Sequence, residues 1–281
     1  MNYSQTSLFL LFFALTFYSC GTEPSIKEGF FLHSNGVTIM CPNTQPGEKG
    51  VVDGVEYESV DNNLLRSHIE RGSDLSKICV SLIETYPSLF DDAGSSMFGQ
   101  DLGNWDVSNM TTMFSWFRNS AYNQDISYWD VSNVKDMEAM FYGSNFNQPI
   151  EDWDVSNVYN MNRMFYDSKF NQSLQKWDVS GTVLMEGMFH ESIFNQPIDE
   201  WDVSRVEHMS GMFSYSSFNQ PLENWAVTNV VSMDRMFYSS SFNQPITNWC
   251  VEKITEEPDQ FSEGSPLTDQ NKPIWGQCPE E

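Results

Sequence analysis

The chain has 281 residues, enough for one or two domains with a sizeable buried core. Its 39 acidic against 14 basic residues leave a formal charge of −25. That balance excludes sequence-independent binding to nucleic acid, which needs a positive footprint on phosphates, and suits a solvated or cation-attracting surface instead.

Leu8 to Phe17 (LFLLFFALTF) is an apolar run of 10 residues. It is too short to span a bilayer and has the length of a signal-peptide core, so residues 1–19 are expected to form a signal peptide. Ser19-Cys20-Gly21 follows and resembles the lipobox of bacterial lipoproteins, whose cysteine is acylated and becomes the mature N-terminus. The stretch before it lacks Lys and Arg, and Tyr18 is bulky where a small residue is usual, so an ordinary signal peptide cut nearby is the alternative. The resemblance implies a membrane anchor on Cys20, with residues 20–28 as a polar tether.

Setting Cys20 aside leaves four cysteines in a chain that enters an oxidising compartment. Three pairings exist. The one in which neither bridge crosses the central repeats joins Cys41 to Cys79 and Cys250 to Cys278. No CxxC spacing occurs and His33, His68, His190 and His208 are scattered, so no metal site is expected.

Residues 29–97 read as a small mixed cap. Val51 to Tyr57 predicts a hairpin around Asp53-Gly54, and Asp61-Asn62-Asn63 offers N-caps for a helix over 64–71 closed by Gly72. His68 shares a face of that helix with Leu64, Leu65 and Ile69, which makes it a packed side chain rather than a ligand.

The repeat region, residues 98–249, is set by Trp105, Trp129, Trp153, Trp177, Trp201, Trp225 and Trp249, each 24 residues from the last. A period of this length marks stacked supersecondary units sharing one core. From Trp105 to Trp225, valine recurs two residues after each tryptophan, methionine eight after and phenylalanine twelve after, as in Val155, Met161 and Phe165. These columns are core positions rather than a cofactor box, methionine filling gaps between imperfect copies. Within a unit, Ile150-x-x-Trp153-x-Val155 suits a short strand, and Val158-x-x-Met161-x-x-Met164-Phe165 suits a short helical segment. The Asn-Gln pair at 147/148 and its equivalents is expected to form amide ladders between coils. Residues 250–281, rich in Pro, Gly and Ser, read as a C-terminal cap. The expected fold is a right-handed, leucine-rich-repeat-like solenoid of about seven coils, each a strand plus a short helical segment, with disulfide-closed caps. The alternative is an all-β solenoid with the methionine stripe extended.

The units FNQPIxxWDVSNVxxMxxMF resemble the repeats of BspA-like leucine-rich-repeat surface proteins, a type widespread among mycoplasma-type lipoproteins, over about residues 98–261. The ending NKPIWGQC and the CPN at Cys41 also look like end segments of bacterial members. The resemblance implies a non-enzymatic lipoprotein of the cell envelope, lipid-anchored on the outer membrane and surface-exposed, with roles in adhesion or protein binding. Departures are Ala226 and Cys250 in place of the Asp after Trp, Gly181 in place of Asn, and Trp116 in place of Met.

No P-loop, HExxH, Rossmann or Ser/His/Asp pattern is present, and no cofactor or small-molecule substrate is implied. Repeated carboxylates point to structure over chemistry, leaving a glycosidase-like carboxylate pair as a remote alternative. In leucine-rich-repeat geometry Asp106, Asp130, Asp154, Asp178 and Asp202 would line one concave face at ~5 Å per coil. Glu151, Asp152, Asp199, Glu200 and Glu223 flank them. The local reading of the row is turn capping of the following Ser and Asn amides. The functional reading is a cleft for a basic protein partner or a cation, although Ala226 interrupts the row. Two functions therefore compete, recognition of a basic partner and an envelope spacer without a specific ligand.

Overall fold

The computed structural model describes residues 29–90 and 99–279. The signal segment, the tether and Cys20 lie outside the described residues, as does Phe98 at the expected start of the repeats.

The N-terminal cap follows local turn chemistry. Strands β1 (Phe31–Leu32) and β2 (Ile39–Met40) pair antiparallel. Strands β3 (Lys49–Val52) and β4 (Val55–Ser59) form a hairpin whose corner residues Asp53 and Gly54 both have positive φ, 50° and 82°. Two such residues in succession make the primed turn that matches strand twist. Helix α1 (Asn62–Glu70) starts at Asp61, whose side chain accepts from the Leu64 amide at 2.9 Å. Leu65 sits on its buried face. Strand β5 (Ile78–Cys79) adds parallel to β4. Its Cys79 is bonded to Cys41, 38 residues away.

Beyond the cap the chain returns to lie against itself once per repeat. A series of isolated parallel bridges links Thr85, Thr112, Asp136, Asn160, Leu184, His208 and Ser232, one residue per coil. Inside the stack the phenylalanines from Phe117 to Phe237 form a column, with ring centroids 5.6–5.8 Å apart from each coil to the next. Beside them tryptophans stack in pairs, Trp129 on Trp153, Trp177 on Trp201 and Trp225 on Trp249, at 6.3–6.4 Å, and each indole Nε1 donates to a carbonyl of the preceding coil. Trp177 bonds Ile150 O at 2.9 Å and Trp201 bonds Leu174 O at 3.0 Å. An indole can therefore be buried here without an orphaned donor. The Asn column closes another ladder: Asn171 N donates to Asn147 Oδ1 at 2.9 Å, and Gln172 Nε2 to the same oxygen at 3.1 Å. Valine, methionine, phenylalanine and tryptophan columns join the cap residues Val60 and Leu65 in a single apolar cluster reaching Leu267.

The internal makeup of a coil differs from the strand-plus-helix expectation. Trp153 N bonds Ile150 O and Val158 N bonds Val155 O, so the expected strand segment is a pair of turns. The expected helical segment is where coils join. The amides of Met161, Arg163, Phe165 and Asp167 donate to the carbonyls of Leu184, Glu186, Met188 and His190 at 2.7–2.9 Å. Bonds of i→i+3 type, Met164 N to Met161 O and Tyr166 N to Arg163 O, run through the same stretch. Arg163 and Asp167 have φ of 54° and 48°. Alternating left-handed residues with turns points Met161, Met164 and Phe165 inward while their amides reach the next coil. The three-residue spacing that reads as helical is here a succession of turns.

The coil pattern also begins before the first tryptophan. Val80 to Phe90 (VSLIETYPSLF) follows VSNVKDMEAMF at 131–141. Ile83 N bonds Val80 O as Val134 N bonds Val131 O, and Ser88, like Ala139, has φ of 54°. At the other end Arg235, Phe237 and Ser239 donate to Asp259, Phe261 and Glu263, and residues 271–277 return to bond Ile246 and Val251. Cys250 and Cys278 close that last turn, with Cα atoms 4.0 Å apart.

Candidate functional site: the acidic row and an aromatic column

Each aspartate after a tryptophan opens a tight turn. Asp154 Oδ1 accepts from Ser156 N at 3.1 Å and Ser156 Oγ at 2.6 Å, and Asp130 does the same with Ser132. Asp178 and Asp202 accept from Ser180 N and Ser204 N, each at 3.0 Å. The Ser204 hydroxyl, aided by its amide, holds the Asp202 carboxyl below the usual carboxylate range. The following asparagine ties the turn to the coil before: Asn157 Nδ2 donates to Ser132 O at 2.8 Å. The serine bonds hold four exposed carboxylates, at 130, 154, 178 and 202, in the same turn position, and the asparagine tie is present at the first two, Gly181 and Arg205 standing in its place at the others.

Asp106 departs from the row. It is 3 % exposed, its Oδ2 accepts from the Ser81 hydroxyl, and its Oδ1 accepts from Ser108 Oγ at 2.6 Å. It fastens the first tryptophan coil to the cap, so a binding role at the surface is corrected to a structural one. Among the flanking acids, Glu151 and Asp152 share Lys176, at 3.6 and 2.9 Å. Two coils further on, Asp199 is half-buried and Glu200 exposed. The row also lies on turns rather than on the coil-to-coil ladder, which lies further along each coil. The placement of these aspartates on strand positions of a concave face is corrected accordingly.

A second surface feature rises from the ladder side, thirteen residues after each tryptophan. Tyr142 stacks on Tyr166 at 4.6 Å and Tyr166 on His190 at 4.2 Å. The Arg118 guanidinium lies 5.2 Å from the Tyr142 ring. At the next coil the column holds Ser214, and Tyr215 meets His190 at 65° instead of stacking. Burial holds the His190 imidazole below its ordinary pKa, opposed by the neighbouring Glu191 carboxylate. The stacked imidazole is therefore neutral at pH 7 and acts as a ring rather than a charge.

The model of one protein family, described as "Mycoplasma protein of unknown function, DUF285", matches residues 84–193 and 167–275. The two matches together span more than half of the chain. This chain belongs to that family. No curated protein and no solved structure matches it. The matched span begins within the coil at Val80 to Phe90 and takes in the tryptophan coils, so the acidic row and the aromatic column both lie on family repeats. The row was legible as a constant residue at a constant offset. The column was not, because its positions change identity from Arg118 to Tyr142, Tyr166, His190 and Ser214, and only the stacked coils bring them together.

Proposed function

We propose that the protein is a non-enzymatic recognition or adhesion lipoprotein of the BspA-like, leucine-rich-repeat type. In this reading the chain is a solenoid of about seven coils, anchored in the outer membrane by a lipid on Cys20 and displayed at the cell surface. Its acidic row meets a basic protein partner. The observation that carries the reading is the fixed register of the exposed carboxylates, each held by its own serine, with the turns of Asp130 and Asp154 also tied to the coil before. A rigid row loses little entropy on binding and places several charges at once. The same bonds favour a second reading, a spacer, because turn capping alone accounts for the choice of aspartate.

Pull-downs from surface extracts separate the two. Retention of a basic partner should fall at least ~10-fold between 0.1 and 1 M salt, as screening shortens from ~10 Å to ~3 Å. The triple change Asp130→Asn, Asp154→Asn and Asp178→Asn should abolish retention at low salt. A partner held equally by the triple variant, or no partner, leaves the spacer. The anchor has its own test: Cys20→Ala should move the protein from the membrane to the soluble fraction, and unchanged membrane retention would remove the lipid from the account.

A further inference from the structure

Two recesses occupy equivalent places on the ladder side, three coils apart. The first is lined by Ser115, Arg118, Glu138, Ala139, Tyr142 and Arg163. The second is lined by His190, Ser210, Gly211, Ser214, Asp234, Arg235 and Asp259. The second holds about 370 Å³ and the first about 320 Å³, at the lower end of the range of small-ligand sites.

The recesses arise from one column, ten residues after each tryptophan. It reads Ser115, Ala139, Arg163, Gly187, Gly211, Arg235, so two small residues and an arginine recur with a period of three coils. All six positions have φ between 54° and 64°. A left-handed backbone favours glycine, and nothing in the stacking of a coil asks for arginine there. Each arginine instead leans on an acid of an adjacent coil: Arg163 on Glu138 and Arg235 on Asp259, both at 3.8 Å. Half of the chain's six arginines, Arg118, Arg163 and Arg235, stand at these two recesses.

The lining narrows the ligand. The charges at the two sites, three arginines against Glu138, Asp234 and Asp259, cancel on a chain of net charge −25. Linings whose charges cancel select neither a polycation nor a polyanion. An added peptide strand would need free backbone amides, but those of Ala139 and Gly211 already donate to Asn162 O and Asp234 O, at 2.9 and 2.8 Å. What remains is a mixture of guanidinium donors, carboxylate acceptors and hydroxyls beside a ring. Hydroxyl groups, which donate and accept together, match that mixture, while the faces of the Tyr142 and His190 rings are already taken by Arg118, Tyr166 and Tyr215. The repeat distance, about 14 Å at ~4.8 Å per coil, lets one linear polymer reach both recesses.

We propose that this side of the molecule binds an extended, uncharged polysaccharide, with sugar units seated in the two recesses and each arginine hydrogen-bonding to hydroxyls. The inference deepens the reading of the protein as a recognition module but does not use the acidic row.

Native electrophoresis through gels containing mannan, dextran or xyloglucan, with heparin as the charged comparison, tests it. At least one neutral polymer should retard the protein. Filling a recess with Ala139→Arg or Gly211→Arg should weaken retardation at least ~10-fold through loss of bivalency, and both together should abolish it. Arg163 and Arg235 already occupy the same φ, and a Cβ on Gly211 meets nothing nearer than His190 Nδ1 at 3.8 Å. If circular dichroism shows that a filled variant misfolds, Arg163→Ala with Arg235→Ala takes its place and should likewise abolish retardation. The acidic-row triple variant should be retarded like the unaltered protein, and the filled variants should keep any basic partner, so the two readings fail separately. Retardation by heparin alone, by none of the neutral polymers, or equally for the double-filled variant overturns the proposal.

Discussion

Replacing Trp177 with alanine is expected to cost about 4–6 kcal/mol and to break the stack in its middle. Truncating a buried aromatic costs about 3–5 kcal/mol through lost transfer energy and the cavity left behind. The Ile150 carbonyl also loses its indole donor, a further penalty of about 1–3 kcal/mol that overlaps in part with the first. Trp177 is 3 % exposed and packs on Trp201 at 6.4 Å and Phe165 at 6.3 Å, so its cavity opens between two coils rather than at a surface that could collapse. In a stack where each unit contacts only its neighbours, a weakened interface uncouples the halves. Urea unfolding should change from one transition to two. Trp177→Phe keeps a stacked ring and loses the hydrogen bond and a few ring atoms, so it should cost about 2–3 kcal/mol, less than alanine, and leave one transition. Equal losses for alanine and phenylalanine would show that the indole hydrogen bond, and not the ring column, sets the interface energy.

The columns that carry this energy were readable from the chain because burial is what keeps them constant. A tryptophan, a valine two on and a phenylalanine twelve on recur since each copy must fill the same volume against the next. The Asp53-Gly54 turn and the Asn-Gln ladder were readable for a similar reason, since few residues satisfy those backbone demands. The path of the chain within a coil was not. A three-residue apolar spacing is produced equally by a helix and by consecutive turns, and the deciding fact is a left-handed residue at Arg163 and again at Asp167. Glycine would have marked those positions, but arginine, alanine and serine hold most of the first column. The half-coil at Val80 to Phe90 was hidden because Tyr86 and Leu89 stand where later coils have methionine, and the interval to the next bridge is 27 residues, not 24. Of the surface features, the acidic row was visible by repetition. The recesses depend on a period of three coils laid over a period of one, which emerges only when the ladder aligns Arg163 with Arg235.

Opening the C-terminal disulfide with Cys250→Ser and Cys278→Ser is expected to fray the last coil while leaving the middle of the stack intact. The bridge closes a loop with a sequence separation of 28, worth about 3–4 kcal/mol in the chain-entropy model, and that of Cys41–Cys79, with a separation of 38, contributes a similar amount. The final segment holds little else that is strong. Ile246 N bonds Asn271 O, Val251 N bonds Gln277 O, Gly276 N bonds Ile254 O, and Lys272 pairs with Glu257 and Asp269 at 2.7 and 2.9 Å. Trp275 packs edge-on to Phe261 at 5.0 Å, and Phe261 in turn covers Phe237 at the end of the phenylalanine column. Once the bridge is gone, this segment can lift away without disturbing the coils before it, because terminal units of a stack open independently. Amide exchange should therefore accelerate at Ile246, Val251 and Gly276 by at least ~100-fold, the factor that about 3 kcal/mol of lost local stability corresponds to. Met161 and Phe165, four coils away, should exchange as before. Uniform acceleration through the stack would mean that the cap and the coils unfold as one unit, and the end would then be held by the shared core rather than by the bridge.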